Sequence, residues 1–144
     1  MSAKTIGIIQ VKGGAGRSTV STNLAGELSK QGKTVLIDCD MPQGTSASWF
    51  AVRQQAGKAG NLIADTATNH RELVAKAEQY QDADSIVLDG PPRIPELTRA
   101  ILVLADLCLI PVGASAAEIW ATSDLLVLVE EAKQVKPVDV RMVW

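Results

Sequence analysis

The feature that most constrains the fold is a regular alternation of short apolar runs with segments of helical spacing. Near-continuous apolar runs are typical of strands covered on both faces of a sheet. The runs are residues 5–11, 34–39, 85–88, 107–112 and 138–144, with a shorter candidate at 61–64. The intervening segments with helical spacing are residues 18–31, 46–55, 69–80, 95–105 and 116–133. This alternation predicts an α/β fold, in which a parallel sheet carries helices on both faces.

The length of the chain indicates a single domain. It has 144 residues, and we assign residues 1–144 to one domain. No apolar run reaches the roughly 18 residues that cross a bilayer, and the N-terminus lacks the pattern of a secretory signal. We therefore expect a cytoplasmic protein without a membrane partner. The net charge of -2 gives no basic signature for nucleic-acid binding.

A glycine-rich loop follows the first apolar run and precedes the first helical segment. Residues 12–19 read Lys-Gly-Gly-Ala-Gly-Arg-Ser-Thr. Glycines allow positive φ and bring successive N–H groups onto an anion, while the following helix adds the positive end of its dipole. The loop therefore predicts a phosphate site, with the Ser18 hydroxyl on Mg²⁺ and Thr19 near the α-phosphate. The alternative is a tight turn without a ligand.

Acidic residues follow two of the other predicted strands. Asp38 and Asp40 come at the end of the second apolar run, and Asp89 follows the run at 86–88. Ligands of open parallel sheets bind beyond the carboxyl ends of the strands, so we expect these carboxylates to lie near the glycine-rich loop. There they are suited to hold Mg²⁺ and to position an attacking water. The alternative role for each is a helix cap or a turn.

These segments together resemble the motifs of the ParA/MinD superfamily. The members of that superfamily are P-loop NTPase-like proteins with a deviant Walker A motif. Residues 12–19 resemble that motif, and residues 38–44, Asp-Cys-Asp-Met-Pro-Gln-Gly, resemble the family's Asp-x-Asp-Pro-Gln segment. Residues 86–92 resemble its Walker B strand, and residues 104–115 resemble the strand and proline-containing loop of small ParA partition proteins. The likeness covers residue 5 to about residue 134.

The resemblance implies a role for each matching position. Lys12 matches the signature lysine that reaches across an ATP-bound dimer, and it joins Asp40 and Asp38 as the implied catalytic set. Asp40 is our preferred match to the Walker A′ carboxylate, with Asp38 as the alternative. The implied Mg²⁺ ligands are Ser18, Asp40 and Asp89. The implied phosphate-binding residues are Lys12, Gly13, Gly14, Ala15, Gly16, Arg17, Ser18 and Thr19.

The resemblance also implies a function, a Mg²⁺-ATP-dependent partition ATPase that forms a homodimer on ATP. Such proteins bind DNA non-specifically, are stimulated by a ParB-type partner and position plasmid or chromosomal DNA. Arg17 stands where the family has a lysine, so a nucleotide-dependent switch with weak or no hydrolysis is one alternative. A related ATPase that positions another cargo is a second. Family members extend further at the C-terminus, where adenine contacts and DNA-binding surface lie, and we expect this chain to be C-terminally truncated.

Other conspicuous residues have simpler interpretations. Cys39 and Cys108 lie in strand-like runs without metal-ligand spacing, so we expect two buried structural thiols. His70 is the only histidine and is expected at the surface of a first helical turn. The apolar positions at 125–129 indicate either core packing or a dimer face.

Overall fold

The computed structural model describes residues 3–9, 17–39, 51, 60–90, 94–111 and 116–143, of which 17–19, 116–124 and 143 are described by their backbone alone. The strands are β1 Lys4–Ile8, β2 Thr34–Asp38, β3 Leu62–Thr66, β4 Ser85–Asp89, β5 Leu107–Pro111 and β6 Asp139–Val143. The helices are α1 Arg17–Ser29, α2 His70–Gln79, α3 Pro95–Leu104 and α4 Ala116–Val135.

The strands form one six-stranded sheet in the order β3-β2-β4-β1-β5-β6. Every pairing between neighbouring strands is parallel. In the central strands β2 and β4 all five residues are buried, as expected for runs that are apolar on both faces. The predicted α/β fold with a parallel sheet is therefore confirmed.

Alternate residues of the central strands pack into two cores, one on each face of the sheet. Leu36 and Val87 lie in a cluster with Ala25 of α1. Their neighbours along the strands lie in a larger cluster that includes residues of α2, α3 and α4. Because side chains alternate between the faces of a strand, α1 covers one face, whereas α2, α3 and α4 cover the opposite face. The prediction of helices on both faces is confirmed.

The predicted boundaries differ from the observed ones at β1, which ends at Ile8 although the apolar run continues through Ile9, and at β3. The apolar pattern ends at residue 64, whereas the strand continues through Asp65 and Thr66. Strand pairing depends on the backbone, and the register aligns Asp65 with Ile37 and Thr66 with Asp38 of β2. Polar side chains are tolerated here because β3 lies at the edge of the sheet. The predicted helix at 46–55 lies outside the described residues apart from Ala51, which is helical.

Candidate functional site

The carboxyl ends of four strands, β1, β2, β3 and β4, lie level with one another at one edge of the sheet. The register aligns Asp89 of β4 with Asp38 of β2 on one side and with Ile8 of β1 on the other. Backbone hydrogen bonds continue just past the strands, since Cys39 N–H donates to the Asp89 carbonyl at 2.9 Å and Gly90 N–H donates to the Ile8 carbonyl at 2.9 Å. These bonds fix the positions of Cys39 and Gly90 relative to the ends of the strands.

Two of the predicted carboxylates are side by side at this edge and are removed from solvent. Asp38 is 1% exposed and Asp89 is fully buried. Burying a carboxylate is costly unless hydrogen bonds or charges compensate it, so two such residues on neighbouring strands indicate a site rather than a surface turn. The Asp38 carbonyl also accepts a hydrogen bond from Ala67 N–H at 3.1 Å, which ties the end of β2 to the segment after β3.

Helix α1 brings a hydroxyl to Asp89. Ser21 Oγ donates to Asp89 Oδ1 at 3.1 Å, and Ser21 is fully buried. The side of α1 that faces the sheet includes small residues, among them Ala25 and Gly26, which are also buried. None of the sequence motifs pointed to Ser21. Its position four residues before Ala25, in the first helical segment, is the signal that could have indicated a sheet-facing side chain.

The glycine-rich loop precedes α1 in the chain. Arg17, Ser18 and Thr19 form the beginning of α1, so they lie at the N-terminus of that helix as predicted. Lys12, Gly13, Gly14, Ala15 and Gly16 lie outside the described residues, as does Asp40. The ligand roles of these residues, and the choice between Asp38 and Asp40, therefore stay predictions.

A second polar cluster lies at the same end of the sheet, on the outer strand β3. Lys76 Nζ of α2 donates to Asp65 Oδ1 at 2.7 Å and also contacts the Thr66 carbonyl. Tyr80 OH donates to Asp65 Oδ2 at 2.7 Å. Glu72 Oε1 lies 3.4 Å from Lys76 Nζ. We call Asp65, Lys76 and Tyr80 the β3 cluster; sequence reasoning did not find it because its members are separated by a turn and a helix.

The ionisation of the β3 cluster reflects its geometry. Burial alone raises the pKa of Asp65, but the hydrogen bonds from Lys76 and Tyr80 outweigh it and hold this pKa below its ordinary value. Burial alone lowers the pKa of Lys76, but the bond to Asp65 and the charge of Asp65 raise it overall. The hydrogen bond to Asp65 raises the pKa of Tyr80. The pKa directions thus favour the charged forms of Asp65 and Lys76 and the neutral form of Tyr80.

The other residues singled out in the sequence lie in the core or at the surface. Cys39 and Cys108 are buried, as expected. His70 is exposed at the start of α2, where Asn69 caps the helix by accepting from Glu72 N–H at 2.9 Å. Within 125–129, Leu125 and Val129 pack in the core, whereas Leu126 and Val127 are 42% and 58% exposed. The segment therefore contributes to the core and also presents an apolar surface.

The described part of the chain contains no group of three or more His, Cys, Asp or Glu residues arranged to hold a metal ion. It also contains no helix with the length and apolar character needed to span a membrane.

Comparison with solved structures supports the fold. The putative plasmid partition protein of Borrelia burgdorferi, solved bound to AMPPNP, superposes with a TM-score of 0.76 and 22% identity. The superposition covers 99% of this chain and 75% of that protein. At this identity the likeness establishes the shared architecture.

Comparison of sequences identifies relatives and a family. Maintenance of carboxysome distribution protein A of Halothiobacillus neapolitanus is 30% identical over 137 residues, which cover 94% of this chain and 62% of that protein. Chromosome-partitioning ATPase Soj of Thermus thermophilus is 28% identical over 157 residues, covering 90% of this chain and 63% of that protein. The chain thus spans less than two thirds of the length of these relatives. A family model described as an AAA domain matches residues 3–82, which contain the loop, both Asp38 and Asp40, and the β3 cluster. The chain belongs to the ParA/MinD-type family of AAA-domain proteins.

Proposed function

We propose that this chain is the nucleotide-binding core of a ParA-like, Mg²⁺-ATP-dependent ATPase that positions a cargo in the cytoplasm. The observation that carries the proposal is the buried Asp89 at the end of β4, level with Asp38 and bonded to α1 through Ser21. A carboxylate held beside the helix that follows a glycine-rich loop is suited to a Mg²⁺-nucleotide complex. Relatives named for chromosome partitioning and for carboxysome distribution support the wider role.

The donor chemistry at this edge of the sheet fits Mg²⁺. Mg²⁺ takes oxygen ligands and is usually bound through one or two carboxylates together with substrate phosphates. Ser18, Asp40 and Asp89 are the residues that would hold it, with Asp38 as the alternative to Asp40. When bound, the Mg²⁺-ATP complex supplies a γ-phosphoryl group for transfer to water.

The protein's own contribution is positioning and charge. The loop residues Lys12, Gly13, Gly14, Ala15, Gly16, Arg17, Ser18 and Thr19 bind phosphate oxygens through N–H groups and cationic side chains. Asp40 or Asp38 accepts a hydrogen bond from the attacking water and orients it. Lys12 reaches the phosphates bound by a second copy of the chain, so that ATP holds two copies together.

The proposed cycle follows from dimerisation on ATP. The ATP-bound homodimer binds DNA non-specifically, and a ParB-type partner stimulates hydrolysis and returns the protein to monomers. Plasmid or chromosomal DNA is the proposed cargo. A cargo of another kind, as the name of the Halothiobacillus relative indicates for that protein, is the alternative.

Phosphate release in the presence of Mg²⁺-ATP, DNA and the cognate partner tests the enzymatic part. We expect turnover by the wild type and loss of turnover in Asp89→Ala. Asp139→Ala is a matched control, because Asp139 is an exposed carboxylate at the start of β6 that pairs with Arg141. If the wild type turns over ATP no faster than Asp89→Ala does, the proposed ATPase activity is wrong.

Molecular mass measured by light scattering tests the dimer. We expect the mass to double with Mg²⁺-ATP and to stay that of a monomer with Mg²⁺-ADP. Lys12→Ala is expected to bind nucleotide while remaining monomeric, because the lysine acts across the interface. A wild-type mass that is the same with both nucleotides contradicts the ATP-dependent dimer.

A second candidate function is a nucleotide-dependent switch without useful hydrolysis. Arg17 is the first residue of α1, at the helix end where phosphates bind, and it replaces the family's lysine. A guanidinium is a broad planar fork, whereas a lysine presents a compact ammonium, so the two place charge differently. If Arg17 limits hydrolysis, Arg17→Lys raises the rate of phosphate release while nucleotide affinity changes little. An unchanged rate would show that Arg17 is not the limiting feature.

A further inference from the structure

We propose that Ser21 is a positioning residue that fixes the orientation of the Asp89 carboxylate for Mg²⁺-nucleotide binding. The inference rests on the proposed function, because it assigns Asp89 to that site. Ser21 matches none of the motifs recognised in the sequence. Its role follows from a buried contact between two elements that lie far apart in the chain.

The contact joins the Ser21 hydroxyl to the Asp89 carboxylate, and both residues are fully buried. Ser21 Oγ donates to Asp89 Oδ1 at 3.1 Å across the junction of α1 and β4. In a buried setting, water does not compete for the carboxylate, and a hydrogen bond to a charged group is stronger than one between neutral groups. The hydroxyl therefore contributes to holding the Asp89 carboxylate in one orientation.

The backbone around Asp89 is already fixed by its neighbours. Cys39 N–H from β2 donates to the Asp89 carbonyl, and Gly90 N–H donates to Ile8 of β1, both at 2.9 Å. The bond from Ser21 to Oδ1 acts on the two side-chain torsions of Asp89, and it thereby contributes to the direction of the second carboxylate oxygen.

Helix α1 links this restriction to the nucleotide. Positions 18 and 21 are three residues apart in the same helix, so they occupy neighbouring positions on one face. Ser18 is the predicted Mg²⁺ ligand at the helix N-terminus. The same helix thus carries the predicted ligand Ser18 and the positioning residue Ser21, which fixes the spacing of the two residues along the backbone.

The test is a Mg²⁺ titration of the binding of a fluorescent ATP analogue. In Ser21→Ala the Asp89 carboxylate loses this donor, and we expect the Mg²⁺ concentration at half-maximal binding to rise about tenfold, as is common when a partner of a metal ligand is removed. Ser29→Ala is the matched control. Ser29 is a buried serine of the same helix whose hydroxyl donates to the Gly26 carbonyl at 2.7 Å, so its loss is expected to leave the Mg²⁺ dependence unchanged.

Binding of the same analogue with a chelator in place of Mg²⁺ distinguishes positioning from a general effect on the helix. If Ser21 acts through Asp89, Ser21→Ala shifts the Mg²⁺ dependence and leaves the Mg²⁺-independent binding of the analogue unchanged. If Ser21→Ala does not fold, Ser21→Cys replaces it, because a thiol keeps a weak donor and is expected to give a smaller shift. If the wild type binds nucleotide and the Ser21 variants need the same Mg²⁺ concentration for half-maximal binding, this inference is overturned and the proposed function is not. A wild type that binds no nucleotide would overturn the proposed function as well.

Discussion

At the scale of single residues, the edge that carries Asp89 leaves little room for added atoms. A Cβ at Gly90 would lie 2.9 Å from the Ile8 carbonyl oxygen and 2.8 Å from Ile101 Cδ1. The Ile101 methyl belongs to the end of a flexible side chain, but the carbonyl is part of a paired strand. Glycine at position 90 is therefore required by the close approach of β1, immediately next to the candidate site.

We predict that Gly90→Ala lowers the free energy of unfolding by about 1 to 3 kcal/mol, the usual cost of overpacking. Urea denaturation monitored by circular dichroism measures this. Combining the change with Ile101→Val removes only the methyl contact, so the clash with the Ile8 carbonyl remains and the double variant stays less stable than Ile101→Val alone. Equal stability of those two proteins would show that the backbone contact costs nothing.

The Cys108 thiol gives a second prediction at this scale. Burial raises the pKa of Cys108 to about 12, so that the reactive thiolate is scarce at neutral pH. We expect the thiol to resist a disulfide-exchange reagent in the folded protein and to react fully in denaturant. The number of thiols modified over time measures this, with Cys108→Ala identifying the contribution of Cys39. Rapid labelling of Cys108 under native conditions would contradict its burial.

At the scale of elements, the β3 cluster fastens an edge strand to a helix. Asp65 lies in β3, whereas Lys76 and Tyr80 lie in α2 and just after it. The Lys76 and Asp65 side chains are 22% and 25% exposed, so solvent screens their interaction only in part. The end of β3 is in turn bonded to Asp38 through Ala67 N–H. The cluster thereby contributes to holding the outer part of the candidate site.

We predict that Lys76→Met lowers the free energy of unfolding by about 1 to 2 kcal/mol at neutral pH, between the values for exposed and buried pairs. Lys30→Met is the control, because the Lys30 pair with Glu27 is mostly exposed and is expected to contribute little. Chemical denaturation of the three proteins provides the comparison. A loss in Lys76→Met no larger than in Lys30→Met would contradict the stabilising role.

The pH dependence of this pair has a definite sign. The pKa of Asp65 is lowered on folding, so its contribution is present above the ordinary value of 3.8 and is lost as pH falls through the lowered pKa. The pKa of Lys76 is raised, so its contribution is present below 10.5 and is lost as pH rises through the raised pKa. The stability difference between wild type and Lys76→Met should therefore shrink below pH 3.8 and above pH 10.5. A difference that is constant with pH would contradict the ionic origin.

At the scale of the whole molecule, the parallel topology gathers distant segments at one edge of the sheet. Ser21, Asp38 and Asp89 lie on α1, β2 and β4, and the strands β2 and β4 are neighbours although β3 and α2 lie between them in the chain. A nucleotide at this edge would contact several elements at once. Its binding should therefore stabilise the folded domain as a unit.

We predict that Mg²⁺-ATP raises the unfolding midpoint, with a stabilisation of about 2.7 kcal/mol when the free nucleotide is a hundred times its Kd. Differential scanning calorimetry with Mg²⁺-ATP, with ATP and a chelator, and without nucleotide measures the effect. We expect the part of this stabilisation that depends on Mg²⁺ to disappear in Asp89→Ala. An unchanged midpoint for the wild type at saturating nucleotide would contradict binding to the folded domain.

The sequence by itself determined the order and type of the described elements, because buried parallel strands and their covering helices leave regular apolar patterns. It also placed Asp38 and Asp89 at the carboxyl ends of strands, since the position of a residue at the end of an apolar run is a local property. The extension of β3 through Asp65 and Thr66 was missed because strand pairing uses backbone groups that have no sequence pattern.

Only the tertiary structure decided which side chains meet. Ser21 and Asp89 are 68 residues apart, and their contact depends on the sheet register and on the close packing of α1 against β4. The β3 cluster likewise depends on where α2 lies relative to the edge strand. A hydrogen bond needs its atoms placed within a few tenths of an ångström, whereas a hydrophobic pattern specifies only which face is buried. The glycine-rich loop thus predicted a phosphate site, and the fold alone showed that Ser21 bonds to the Asp89 carboxylate.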